Sequence, residues 1–238
     1  MKNTIKIDST KRARDGVVFL GGYLSDMQGS KASFLAEWTK AQDISYTRFD
    51  YRGHGASSGN FADCTLTDWL EDSLQILDEH TTEKQILIGS SMGGWLAVLT
   101  ALRRPERVKA LILLAPAIDM TRRLMWERYT PEQKKELTQN GILYEPSDYD
   151  EKGMLVTMKL IENGDQFLLL DKEIPLAMPI SILHGAQDLV VPYTLSLEFM
   201  EKVKTQTVSL HLLKNGNHQL SDQAGLTALA NLIKPHLD

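Results

Sequence analysis

Apolar runs of strand length recur along this chain at residues 16–20, 85–88, 109–115 and 180–183. Most positions in them are hydrophobic in succession rather than alternately, with Ser181 the one polar interruption inside a run, as in a strand covered on both faces. Residues 45–51 read as another strand, and Val208-Ser209-Leu210-His211-Leu212-Leu213 as a last one with a looser alternation. Between the strands, residues 33–42 and 66–79 carry apolar side chains at helical spacing. Residues 94–102 are apolar and small-residue-rich, the mark of a buried helix, and a final helix is predicted over 221–234. Strands alternating with helices in this way predict an α/β fold, a mostly parallel central sheet with helices on both faces. One stretch departs from the rhythm. Residues 118–178 lie between two core strands and have mixed polarity, with helix-like pieces at 122–129, 131–139 and 153–163 punctuated by Gly141, Pro146 and Gly164. With no repeat, linker or low-complexity tract in view, the pattern predicts one domain over 1–238 with a helical cap insertion at about 118–178.

The junction between the strand at 85–88 and the helix at 94–102 carries Gly89-Ser90-Ser91-Met92-Gly93. A G-x-S-x-G string is common by chance, but here it joins a strand to a helix. There the serine sits on a sharp turn above the sheet edge, and glycines either side avoid collisions of Cβ atoms with the neighbouring strand and helix. That is the nucleophile elbow of an α/β-hydrolase, and Ser91 is its candidate nucleophile. The fold then requires an acid and a histidine in the order Ser…Asp…His. Asp188 follows the strand at 180–183 at its carboxyl end, and His218 lies in the turn Lys214-Asn215-Gly216-Asn217-His218 after the last strand. A serine hydroxyl is a poor nucleophile unaided. An imidazole that titrates near neutrality can take its proton during attack and return it to the leaving group. A buried carboxylate fixes the imidazole tautomer and stabilises the imidazolium.

Rivals for each role exist. The chain has 6 histidines. His80 and His236 read as solvated helix ends, His211 as a strand-face residue and His184 as structural, while His54 lies in a loop that could help close a site. Only His218 combines chain order with loop position. For the acid, Asp119 follows the strand at 109–115, where some relatives of the fold keep theirs, but Asp188 fits the order and position. The oxyanion hole of the fold uses one amide after the nucleophile and one from the loop after an early strand. Those are the backbone N–H groups of Met92 and, after Gly21-Gly22, of Tyr23.

Composition narrows the picture further. At 238 residues, 42% of them hydrophobic, the chain can bury one substantial core. A net charge of −5 argues against a nucleic-acid or anionic-membrane partner. The clusters Lys11-Arg12-Ala13-Arg14 and Arg122-Arg123 read as solvated surface, though the second, at the start of the cap, could attract an acidic substrate. The single cysteine, Cys64, excludes an intrachain disulfide, fits a reducing cytoplasm, and has no elbow around it to make it a nucleophile. The stretch 1–8 lacks the apolar core of a signal peptide, and no run approaches membrane-spanning length. No metal-ligand spacing or phosphate loop is present, so no cofactor and no metal is implied.

Four stretches resemble one branch of the α/β-hydrolase superfamily: Gly22-Tyr23-Leu24-Ser25-Asp26-Met27-Gln28-Gly29-Ser30-Lys31-Ala32, residues 48–59 with Asp50-Tyr51-Arg52-Gly53-His54-Gly55, Ser90-Ser91-Met92-Gly93-Gly94-Trp95, and residues 184–192 with His184-Gly185-Ala186-Gln187-Asp188. The branch is that of the palmitoyl-protein thioesterases and acyl-glucuronide esterases with their bacterial relatives, and the likeness runs from about Gly16 to the last helix. The resemblance implies Ser91, Asp188 and His218 as the triad. It also implies a serine hydrolase of carboxylic esters or thioesters, acting on a small-molecule or acyl-protein substrate and favouring medium-to-long acyl chains. In lacking a presequence the chain looks like a bacterial cytoplasmic member. The oligomeric state stays open, a monomer being compatible. Alternatives are a monoacylglycerol-lipase-like activity, C–C bond hydrolysis by the same triad, and a non-catalytic module binding a small ligand, which would commonly have lost a triad member.

Overall fold

The structure, a computed structural model, describes residues 4–11, 16–146 and 153–237. Arg12 and Arg14 of the first basic cluster lie outside the described residues. A seven-stranded sheet forms the centre, built from β1 (Lys6–Thr10), β2 (Gly16–Leu20), β3 (Ser45–Asp50), β4 (Gln85–Ser90), β5 (Val108–Leu114), β8 (Ile180–Gly185) and β9 (Val208–Leu213), while β6 (Ile142–Glu145) and β7 (Met154–Thr157) form a separate antiparallel pair. The order across the sheet is β1-β3-β2-β4-β5-β8-β9, with β1 antiparallel to β3 and every other pairing parallel.

The consecutive apolar positions are explained by two cores, one on each face. Val17 and Phe19 of β2, Ile86 and Ile88 of β4, and Ala110, Ile112 and Leu114 of β5 face one core. The residues between them, Val18, Leu20, Leu87, Leu111 and Leu113, face the other. The first core is closed by α1 (Ser30–Ala41) through Ala32 and Leu35 and by α7 (Gln223–Ile233) through Leu229 and Ile233. The second is closed by α2 (Leu66–His80), α3 (Met92–Arg103) and α6 (Tyr193–Lys202), with Trp69, Trp95 and Phe199 fully buried. Strands that pack on both faces carry period-2 side-chain geometry without any period-2 polarity.

Between β5 and β8 the chain makes a π-helical turn at Thr121–Trp126, then α4 (Pro131–Asn140), the β6–β7 pair and α5 (Met158–Gly164). The first part of the stretch read as a helix from 153 is therefore strand. Met154-Leu155-Val156-Thr157 pairs with Ile142–Glu145, and the helix begins only after Thr157, whose side chain caps it at Leu160 N–H. A β-branched pair at a pairing position outweighs the helical spacing there.

Candidate active site

Ser91 stands alone between the last residue of β4 and the first of α3, at φ 55° and ψ −120°. A side chain at positive φ is strained, on the order of 1–3 kcal/mol, and needs surroundings that over-determine it. Its N–H donates to Leu114 O at 2.9 Å, and its carbonyl accepts from Gly94 N–H at 2.9 Å and Ala117 N–H at 3.0 Å, so the turn is tied to the end of β5 and the loop after it. The flanking glycines are needed for closeness. A Cβ on Gly89 would meet the backbone of Gly93, and one on Gly93 would meet the carbonyl oxygens of Leu20 and Gly21. That second contact pulls the loop after β2 against the turn.

His218 reaches Ser91 from the loop between β9 and α7. Its Nε2 lies 3.1 Å from Ser91 Oγ and its Nδ1 lies 2.8 Å from Asp188 Oδ2. Asn217 Oδ1 accepts from Gln219 and Leu220 N–H, an Asx turn that fixes the loop. Asp188, in the loop after β8, accepts at Oδ1 from Val190 N–H at 2.9 Å and Val191 N–H at 2.8 Å. Burial by itself would raise its carboxyl. Hydrogen bonds from His184 and His218, the His218 charge and the Val191 N–H outweigh burial and hold it well below the usual carboxylate range. With Asp188 ionised, Nδ1 of His218 carries the proton, and Nε2 is left to accept from the Ser91 hydroxyl. The three residues separated along the chain are thus in line for a serine-to-imidazole proton transfer.

His184, read from the sequence as structural, is fully buried with its Nε2 3.3 Å from the same Asp188 oxygen. Nε2 also lies 2.9 Å from Val191 O, and Nδ1 lies 2.8 Å from Ser196 Oγ. A donor at Nε2 and an acceptor at Nδ1 satisfy all three neighbours, so Asp188 is flanked by two imidazoles. Asp119 is elsewhere. Its two oxygens accept from Leu169 and Leu170 N–H at 2.8 and 2.9 Å, which ties the start of the β5–β8 segment to its end.

A cavity of about 480 Å³ opens over Ser91 and His218, lined also by Gly22, Tyr23, Lys31, Met154 and Gln219. A Cβ on Gly22 would stand in van der Waals contact with Ser91 Cβ, at 3.4 Å. This brings the loop carrying Tyr23 beside the serine. The loop is held from behind. His54 is buried among Tyr51, Phe61 and Trp69, and its Nε2 accepts from Leu24 N–H at 3.2 Å. Burial lowers His54 to about 4, against the pull of the Arg52 carbonyl and Asp50, so the imidazole stays a neutral acceptor. Asp50 accepts from Met27 N–H and Ala56 N–H, fastening this loop to the next. The Tyr23 hydroxyl donates to Leu155 O of β7, a contact between the loop and the β5–β8 segment.

Other candidates have different employment. Arg122 pairs with Asp165 and Arg123 with Glu198. The Cys64 thiol is buried and, by that burial, pushed up to about 11. Of the large apolar residues that could line an acyl channel, Leu124, Met125, Trp126, Met154, Met158 and Phe167 all pack with the core, and Met154 also lines the cavity.

The chain's similarity to known proteins agrees with this geometry. The family model for serine aminopeptidase, S33, matches residues 11–142, the half that holds the Ser91 turn. Human mitochondrial palmitoyl-protein thioesterase ABHD10 is 38% identical over 224 residues, covering 94% of this chain and 73% of that protein. Two solved structures superpose closely. A protein from Agrobacterium vitis S4 has a TM-score of 0.96 at 34% identity, covering 99% of this chain and 94% of its own. Mouse α/β-hydrolase domain-containing protein 10 has 0.91 at 35% identity, covering 98% and 93%. With the turn, the sheet order and these relatives in agreement, the chain belongs to the α/β-hydrolase family, in the company of the ABHD10 palmitoyl-protein thioesterases, and is a hydrolase.

Proposed function

We propose that this enzyme hydrolyses carboxylic esters and thioesters through an acyl-enzyme on Ser91, with His218 as general base and Asp188 as its orienting acid. The observation that carries the reading is the unbroken Oγ–Nε2, Nδ1–Oδ2 line at 3.1 and 2.8 Å, opening into the cavity. Ser91 Oγ attacks the acyl carbon as its proton passes to His218 Nε2, and the backbone N–H groups of Met92 and Tyr23 receive the oxyanion. The first N–H of α3 also carries the positive end of the helix dipole. His218 then protonates the departing alcohol or thiol. A water that surrenders its proton to the same nitrogen attacks the acyl-enzyme and frees the acid. The β5–β8 segment acts as a cap over this site, within a single domain.

Medium-to-long acyl chains are the proposed preference, and a depalmitoylase-like thioesterase activity the proposed physiological class. The ABHD10 relatives, named palmitoyl-protein thioesterases, support this, as does a cavity within the roughly 300–1,000 Å³ of small-ligand sites. No helix among the described residues is long and apolar enough to cross a membrane, and a reducing, cytoplasmic setting suits the single buried thiol. The test is labelling by a fluorophosphonate together with turnover of a p-nitrophenyl ester. Ser91→Ala should abolish labelling and lower kcat by about 10³-fold or more. Labelling that survives the substitution refutes the assignment.

A further inference from the structure

We propose that Lys31 forms a subsite for an anionic group, a carboxylate or a phosphate monoester, carried on the leaving-group side of the substrate. The inference rests on the hydrolase reading above and adds the chemistry of what departs. Lys31 is the second residue of α1 and lines the cavity together with Ser91 and His218. Its Nζ touches only neutral acceptors, Gln219 O at 2.5 Å and Ser221 Oγ at a long 3.5 Å. An ammonium has three donors, and among the described residues no carboxylate lies within ion-pair distance of this one. Arg48, Arg52, Arg104, Arg122 and Arg123, by contrast, all have acidic partners. The one acidic side chain on the cavity wall, Asp26, turns Oδ1 to Gln28 N–H at 2.8 Å.

The position selects the side of the substrate. His218 must hand its proton to the departing atom, so the leaving group lies against the loop carrying His218. Gln219, whose carbonyl holds Lys31, is the next residue of that loop. A cation there reaches beyond the scissile bond on the departing side. Burial has lowered Lys31 to about 8, and among the described residues no carboxylate offsets that loss. An anion seated against Nζ would supply the missing partner in a charge-assisted hydrogen bond. The first turn of α1, with Gly29 and Ser30 also on the cavity wall and no side-chain cap, adds a favourable dipole to the same point.

Matched substrate pairs with one acyl group and two leaving groups test this. One pair is the octanoyl ester of 4-nitrophenol and that of 3-carboxy-4-nitrophenol. The other is S-octanoyl pantetheine and its 4′-phosphate. The anionic member should be preferred in kcat/KM by about tenfold in the pair whose anion the subsite fits, which separates carboxylate from phosphate. Lys31→Met should collapse that ratio to near one, and Lys31→Arg should keep part of it. A ratio that Lys31→Met leaves untouched, or equal losses on both members of each pair, overturns the proposal and leaves Lys31 as a strap on the His218 loop. Failure of the hydrolase reading is distinct: neither member of any pair would then be turned over by the wild-type enzyme.

Discussion

Replacing Asp188 by asparagine removes one charge and almost no volume, and the local geometry dictates how the amide must settle. Its oxygen has to stay where Oδ1 is, because Val190 and Val191 N–H point there at 2.9 and 2.8 Å. Turning the amide round would leave both N–H groups facing an NH₂, at about 1–3 kcal/mol each. The NH₂ therefore occupies the Oδ2 position and donates to His218 Nδ1, which forces the ring proton to Nε2. Nε2–H then meets the Ser91 hydroxyl as a donor and cannot accept its proton. A wrong tautomer of this kind costs about 10⁴-fold in kcat, equivalent to ~5.5 kcal/mol of barrier. Asp119→Asn is the control. Each of its oxygens accepts one N–H, from Leu169 and Leu170, so the amide leaves one unsatisfied and lowers stability by about 1–3 kcal/mol. Its kcat, measured where it is folded, should stay within a few-fold of wild type. Stopped-flow acylation with a p-nitrophenyl ester, beside urea unfolding, separates the two effects. If Asp119→Asn suffers the larger loss of kcat while folded, the assignment of the acid is wrong.

Two further outcomes follow from the site. His54 is held at about 4 by burial, below the ~6.5 of an unfolded chain, so between those values the unfolded state binds a proton that the native state refuses. Stability should therefore fall as pH drops from about 6.5 to about 4, by up to roughly 3 kcal/mol, and His54→Asn should remove that slope in urea titrations at pH 7 and 4.5; parallel slopes would contradict the neutral buried imidazole. For the acyl side, each substrate methylene buried in the cavity should contribute up to ~0.8 kcal/mol, about fourfold in kcat/KM, until the cavity is filled. A C2 to C16 p-nitrophenyl ester series below the critical micelle concentrations reads this directly, and acetyl as the best substrate would refute the medium-to-long preference.

Legibility followed the physics of each element. β2, β4, β5 and β8 were evident because burial on two faces leaves few polar residues to confuse the reading. β1 was missed. Lys6–Thr10 is an edge strand in which only Ile7 packs against the core, so its pairing with β3 leaves little hydrophobic signature. Helix α6 went unread for a related reason: its buried Leu195, Ser196 and Phe199 include a serine, and the exposed Leu197 blurs the period. In the β5–β8 segment, helical spacing and strand pairing competed over four residues, and the partner strand at 142–145 decided the matter.

The three candidate site residues, which the fold brings together, could be picked out for a different reason, namely that their order and their places at strand ends are set by topology. The groups that hold them in register are not subject to such a rule. His184 sits in a strand that would bury any residue there, and nothing in its neighbours announces that the carboxylate four positions on will turn back to within 3.3 Å. His54 depends on Leu24, which adopts φ 56° without being glycine, a conformation invisible in composition. Its N–H can meet the imidazole only because the chain turns there. Lys31 is singled out by nothing in the sequence, and only its place in α1 against the His218 loop encloses it. Backbone conformation and enclosure, rather than residue identity, thus decide which polar side chains serve the site. Such residues are found by asking what each buried donor and acceptor is bonded to.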